Sequence, residues 1–321
     1  MKISPYSGGL IISYQCNLAC IHCLYNCRPS WKGWAKIEDI DKILGRLCKI
    51  KNFNSLHLTG GEPFMNLPLL IESIKLCKRY NLSFFVETNC YWAKNEEYAE
   101  KILRKLKEVG LNSILLSYSI FYADKIPIEN FEIAMEISFK ILGRENVSFY
   151  TLSGYQLLKN LNFKGKINFE DCLKLLGYEK FVKFLQNYIV PKGKCLYTLE
   201  NFFYKFPPEK FKGANCIFEF LNPYHIHIDL YENYIPSFCA GITLGNFEKV
   251  LNEGINRNEK ILNFLMTDIY SFLIWAENEY GYKRKEGYIN KCHLCLDIRK
   301  YLIDNGFYFD SLKPIEFYHQ L

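Results

Sequence analysis

No stretch of the chain approaches the roughly 20 consecutive apolar residues that a membrane helix needs. The start has no secretory signal either, because the first apolar run, Leu10-Ile11-Ile12, is too short for one. Both absences predict a cytoplasmic chain with no membrane partner. Blocks of Lys or Arg dense enough to hold nucleic acid are also missing: the formal net charge is +6 over 321 residues, spread along the chain. That excess suits an anionic cofactor or substrate. Long polar tracts are absent, and 49% hydrophobic with 23% charged residues excludes a disordered chain. No internal repeat is visible. Cysteine, by contrast, is plentiful, with 13 in all. In a reducing compartment, clustered thiols point to metal binding or catalysis before disulfides.

The first half alternates strand-like and helix-like segments. A short apolar run from Gly9 to Tyr14 ends just before Cys16. Ile37, Ile40, Ile43, Leu44 and Leu47 recur at helical spacing. Strands are predicted over 55–58, 82–86, 113–119 and 147–152. Helices follow with Leu69, Leu70, Ile74 and Leu76 (opened by Pro68), over 98–109 (closed by Gly110) and over 131–142 (closed by Gly143). This βα repetition demands a parallel sheet with helical crossovers, open or closed into a partial barrel. From about 155 to 215 the pattern is irregular, with a helix predicted over 169–188. After Cys216, an alternating stretch from His225 to Leu230, the turn Glu232-Asn233 and a run to Phe238 predict a hairpin. Helices are then expected over 260–276 and 296–303. A domain boundary is placed at 195, dividing 1–195 from 196–321.

Cys16, Cys20 and Cys23 form Cys-x3-Cys-x2-Cys on the loop after the first strand. Such spacing lets one loop wrap an iron–sulfur cluster. Three thiolates on a four-iron cluster leave one iron open to a cofactor or substrate. A zinc knuckle is the alternative, with His22 as fourth ligand, although zinc prefers paired ligands and His22 adjoins Cys23. The run Cys16-Asn17-Leu18-Ala19-Cys20-Ile21-His22-Cys23 resembles the signature of the radical S-adenosylmethionine (radical SAM) superfamily. The resemblance implies that SAM chelates the open iron of a 4Fe–4S cluster. It also implies that one electron cleaves SAM to a 5′-deoxyadenosyl radical, and that His22 lies near adenine. The implied fold is α/β, a partial (β/α)6 TIM-like barrel as the radical SAM core, followed by a small α+β hairpin-plus-helix auxiliary-cluster domain.

Parallel sheets bind ligands at the C-terminal ends of their strands. Gly60-Gly61-Glu62-Pro63 follows the second strand and resembles the family's Gly-Gly-Glu motif, where exposed backbone or Glu62 accepts hydrogen bonds from the SAM ammonium. Thr88 and Asn89 end the third strand and Ser117 and Ser119 the fourth; in similar proteins these positions approach the methionine and ribose of SAM. Taken singly, each is an ordinary turn or cap. The fifth strand, Tyr150-Thr151-Leu152-Ser153-Gly154, departs from the family's Gly-x-Ile-x-Gly pattern by keeping one glycine.

Cys216, Cys239, Cys292 and Cys295 form a second set. It resembles the twitch domain, the short form of the SPASM domain, which implies an auxiliary 4Fe–4S cluster. An all-cysteine zinc site is the alternative. Glu232 and Ser237 stand where the hairpin of such domains often has glycine. Cys48 and Cys77 are read as core, and Cys27 as structural. Cys90, Cys172 and Cys195 have no assigned chemistry, although Cys90 or Cys195 could donate a hydrogen atom. His225 and His227 share a strand face and could meet a substrate.

The resulting expectation is a radical SAM oxidoreductase of maturase type that oxidatively modifies a peptide or protein. It would be reduced by an external donor such as flavodoxin or ferredoxin. The short chain before Cys16 tells against a leader-peptide-binding domain. A small-molecule dehydrogenase with the same machinery is the alternative, and a non-catalytic zinc-binding protein is a third reading.

Overall fold

A computed structural model describes residues 3–150 and 152–321 of the chain. It divides into two compact units. One comprises Gly8–Cys20 and Cys27–Tyr188; the other comprises Ile21–Asn26 and Ile189–Leu321 with the N-terminal residues up to Ser7.

The first unit alternates strand and helix as its periodicity dictates. Its elements are β1 (Ser7–Ile11), α1 (Ile37–Leu47), β2 (Ser55–Thr59), α2 (Leu67–Arg79), β3 (Phe84–Thr88), α3 (Glu96–Val109), β4 (Ile114–Ser117), α4 (Ile128–Leu142) and β5 (Val147–Tyr150). Neighbouring strands run in the order β5-β4-β3-β2-β1. The pairs β2–β3, β3–β4 and β4–β5 are parallel, with Leu58 opposite Val86 and Thr88 opposite Leu116. Parallel strands need crossovers, and α2, α3 and α4 supply them.

Each helix buries the stripe that the spacing predicts. Ile40, Ile43, Leu44 and Leu47 are buried on α1; Ala99, Ile102, Leu103 and Leu106 are buried on α3, which Asn95 caps by accepting from the Tyr98 amide. Cys77 lies in the core, as expected. Cys48 does not: α1 ends at Leu47, so Cys48 falls at the C-cap beyond the buried stripe and is exposed. The third strand begins two residues later than predicted and reaches Thr88. Of the fifth, Val147–Tyr150 is strand, and Thr151 lies outside the described residues. The unit ends with α5 (Leu152–Asn160), α6 (Phe169–Leu176) and α7 (Tyr178–Tyr188). The last two replace the single helix predicted over 169–188. Gly177 sits between them at φ +76°, a left-handed conformation that stops the first.

The second unit contains α8 (Cys195–Thr198), α9 (Ile217–Leu221), β6 (Ile226–Asp229), β7 (Tyr234–Pro236), α10 (Phe247–Glu253), α11 (Lys260–Thr267), α12 (Ile269–Tyr280), α13 (Lys291–Asp304) and α14 (Glu316–His319). β6 and β7 form the predicted antiparallel hairpin, Ile228 opposite Tyr234. Buried Asp229 holds its turn by accepting from the Tyr231 and Asn233 amides and from the Asn233 side chain. Glu232 and Ser237 adopt φ +60° and +31°. The two positions singled out for lacking glycine therefore have the backbone conformation that glycine tolerates best. The predicted helix over 260–276 is interrupted at Asp268, which caps α12 through the Tyr270 and Ser271 amides. No helix among the described residues is long and apolar enough to cross a membrane.

Candidate active site

The turn after β2 is locked to the chain leaving β1. The Gly61 amide donates to Ser13 O at 2.8 Å and the Glu62 amide to Gln15 O at 3.1 Å. The backbones approach so closely that a Cβ on Gly60 would lie 2.2 Å from Ser13 O, and one on Gly61 1.8 Å from Gln15 O. The two glycines are thus required by backbone-on-backbone packing immediately before Cys16, a stronger reason than the open access expected from the sequence.

That packing delivers Glu62 to the interior, where it is 1% exposed. Its carboxylate accepts from the Phe64 amide (3.1 Å), the Thr88 hydroxyl (2.9 Å) and the Asn89 amide (2.8 Å). Burial nevertheless dominates and pushes the Glu62 carboxyl up to about 7; the three donors pull it down, and nearby Glu87 adds a smaller upward push. Thr88 also accepts from the Trp92 indole and the Cys90 amide, so its hydroxyl is fully engaged in fixing Glu62. Asn89 extends the network towards the cysteines. Its Nδ2 reaches Asn17 Oδ1 at 2.9 Å and Cys16 Sγ at 3.8 Å. Glu62, Thr88, Asn89 and Cys16 therefore form one connected buried group. Pro63 is buried at the start of the following turn.

Ser117 donates to Thr88 O at 3.2 Å and accepts from the Tyr122 hydroxyl at 3.2 Å. Ser119 accepts from the Phe121 amide, shaping the turn after β4. Cys20 is half-buried and its charge would act on the Tyr122 phenol, which burial already holds well above the ordinary value. Cys16 and Cys20 end one stretch of the first unit. His22 and Cys23 follow on Ile21–Asn26 of the second, where the Lys194 and Asn26 amides donate to Cys23 O, each at 3.4 Å. Burial, then the charge of Lys194, lowers the His22 imidazole to about 4, so it is neutral near pH 7. Among the described residues none of the three is in a disulfide.

The second unit gathers its four predicted cysteines around one cavity. Cys216 precedes α9, Cys239 follows β7, and Cys292 and Cys295 lie on the first turn of α13; all four line the same space. Burial first, and then the other three sulfurs, push the Cys216 thiol far up; burial raises Cys239 to about 12. Cys216 and Cys295 are buried and Cys239 and Cys292 half-buried, and four such thiolates would repel one another unless a metal neutralised them. Four thiolates at one cavity suit either a zinc ion or an iron–sulfur cluster.

Three cations that sequence reasoning missed surround this set. Lys192 and Lys291 act on the thiols to favour the thiolates. Arg299, 5% exposed, donates Nη1 to Ala240 O (3.0 Å) and Tyr318 Oη (2.6 Å) and sits against the Cys295 thiol. Its buried Nε has no nitrogen or oxygen acceptor among the described residues, a donor that a cluster sulfide would satisfy. The signal was present, since Arg299 follows Cys295 by one helical turn.

The remaining thiols are held by packing. Cys195 donates to Lys192 O at 3.0 Å and burial raises it to about 12. Cys90 is fully buried with its thiol pushed well up, Cys172 is buried, and Cys27 faces Gly60 O at 3.7 Å. His225 and His227 do share a face of β6, their ring centroids 4.8 Å apart. His225 bonds Ser7 and His227 contacts Ser237 O.

Residues 10–151 match the family model described as the radical SAM superfamily. "Putative peptide biosynthesis protein YydG" of Bacillus subtilis (strain 168) is 21% identical over 126 residues, 39% of this chain and 40% of that protein. The matched stretches span 34% to 57% of the curated relatives' own lengths. Among solved structures, anSMEcpe with bound AdoMet and Cp18Cys peptide is 15% identical with a TM-score of 0.46, covering 93% of this chain and 97% of that one. BtrN in complex with AdoMet and 2-DOIA is 12% identical with a TM-score of 0.43, covering 83% and 88%. The stretch matched by the family model contains Cys16, Cys20 and Cys23 and the Gly60-Gly61-Glu62 turn.

Proposed function

We propose that the chain is a SAM-cleaving enzyme that oxidatively modifies a peptide or protein. Cys16, Cys20 and Cys23 hold its catalytic 4Fe–4S cluster, and Cys216, Cys239, Cys292 and Cys295 hold an auxiliary one. When bound, the first cluster and SAM together supply a 5′-deoxyadenosyl radical able to abstract hydrogen from a substrate. The observation that carries this reading is the continuous buried network from Cys16 through Asn89 to Glu62. A buried carboxyl poised near 7 takes up an ammonium group readily, because the arriving charge relieves its desolvation.

The chain's own residues then have distinct tasks. Gly60, Gly61 and Pro63 fix the approach of the Glu62 turn to the cysteine loop. Glu62 binds the SAM ammonium; Thr88 and Asn89 hold Glu62 in place, and Asn89 also orients the loop at Cys16. Ser117 and Ser119 face the ribose side and His22 the adenine. The strands of this core close into part of a (β/α)6 barrel over 1–195, and 196–321 forms the twitch-type domain. A cytoplasmic flavodoxin or ferredoxin supplies the electron.

A peptide substrate is favoured by the partial likeness to YydG; a small molecule is the second reading, since the short auxiliary domain serves either. The test is anaerobic purification with metal analysis and a SAM-cleavage assay under reductant. About eight irons per chain, two four-iron clusters, and 5′-deoxyadenosine formation are expected. Cys16→Ala, Cys20→Ala or Cys23→Ala should abolish cleavage, whereas Cys292→Ala should retain some cleavage but impair product formation. A colourless protein with stoichiometric zinc and no SAM cleavage refutes the proposal.

A further inference from the structure

The first unit contains a cavity of about 300 Å³ that the reading above does not use. Its lining includes Lys94, Lys125 and Lys166, together with Asn17, Tyr91 and Asn130, and no carboxylate. The lysines come from three separate segments: the loop after β3, the loop before α4 and the loop before α6. Lys125 pairs with Asp124 at 2.7 Å, but Lys94 and Lys166 make no ion pair among the described residues. Two uncompensated ammonium groups facing one concavity repel each other, and an anion between them removes that repulsion. Two neutral rim residues are fixed in place: the Tyr91 hydroxyl donates to Phe64 O, and the Asn130 side-chain amide donates one of its two N–H groups to Tyr91 O.

The cavity lies beside the proposed reaction centre. Asn17 is the residue after Cys16, and its Oδ1 accepts from Asn89, which also touches Cys16. A group bound here by its charge would leave the rest of its molecule next to the cysteine loop. The volume is at the lower end of small-molecule sites, enough for one acidic group and its stem.

We propose that this cavity is an anion-binding subsite that takes a carboxylate or phosphate group of the substrate and so selects acidic substrates. Calling the ligand a substrate rests on the proposed function; the binding itself does not. The test is calorimetry on the full, cluster-loaded chain under anaerobic conditions without reductant, using a tetraglutamate peptide, inorganic phosphate and a neutral tetraglutamine peptide as probes. One of the two anions should bind and the neutral peptide should not. The K94Q/K166Q variant should weaken binding by about tenfold or more, a loss of roughly 1.4 kcal/mol, and K94R/K166R should restore it. Both lysines are exposed, so the fold tolerates these changes.

Tetraglutamate binding alone identifies side-chain carboxylates as the source, and phosphate binding a phosphorylated substrate. Saturating SAM should leave either affinity unchanged. The proposal is overturned if neither anion binds, if the lysine variants bind as the wild type does, or if SAM displaces the anion, which would make the cavity part of the SAM site. Wild-type SAM cleavage is measured separately. Its absence with intact anion binding would refute the enzymatic reading and leave the subsite standing.

Discussion

Replacing Glu62 with Gln should remove a large pH dependence from the stability of the metal-free protein. The Glu62 carboxyl is buried and raised from 4.5 to about 7, with burial as the leading cause. Between those values the native state holds a proton that the unfolded chain has released. Stability from this group is therefore fully present below about 4.5 and is lost as pH rises through about 7. A rise of about 2.5 units, at 1.36 kcal/mol per unit, corresponds to roughly 3 kcal/mol. Other groups titrate in the same range; His293 is lowered to about 4, and so pulls in the opposite direction. They are common to both proteins, so the comparison isolates Glu62. Urea unfolding at pH 5 and pH 8 should show the wild type losing about 3 kcal/mol more than Glu62→Gln between the two conditions. Equal losses would show that Glu62 ionises normally in the fold and would remove the basis for its role. In the loaded enzyme, SAM affinity should rise from pH 6 to pH 8 in the wild type and stay level in Glu62→Gln.

Gly61→Ala would place a Cβ 1.8 Å from Gln15 O and 2.8 Å from the Cys16 amide. It should displace the cysteine loop and cost about four irons per chain while sparing the proposed C-terminal cluster; a full iron complement would refute that account. Arg299→Leu removes a buried cation beside Cys295 and Cys239. The proposed auxiliary cluster should then become harder to reduce, by about 59 mV or more, a tenfold change for a one-electron couple. An unchanged midpoint in an EPR redox titration would show that Arg299 serves packing alone.

Much of the candidate site was legible because its signals are local. The cysteine spacing, the Gly-Gly-Glu turn and the period of the helices each lie within a few residues, and loops after parallel strands must open at one edge of the sheet. The roles within that edge were not legible. Thr88 and Asn89 were identified by position, yet their bonds to Glu62 and Cys16 depend on strand register and on the packing of one backbone against another. Cys48 was misplaced because a single residue at a helix end decides between core and solvent, and boundaries are where periodicity says least.

The sequence by itself singled out the residues proposed to carry chemistry, since thiolate spacing and strand order are properties of the covalent chain. Only the tertiary structure decided their environment. It brought Cys216, Cys239, Cys292 and Cys295 to one cavity across a long interval, set Arg299 against them, and placed Lys94 and Lys166, which make no ion pair among the described residues, at one cavity with Asn17. Burial and charge at a point arise from every segment packed around it, so no single stretch of sequence encodes them.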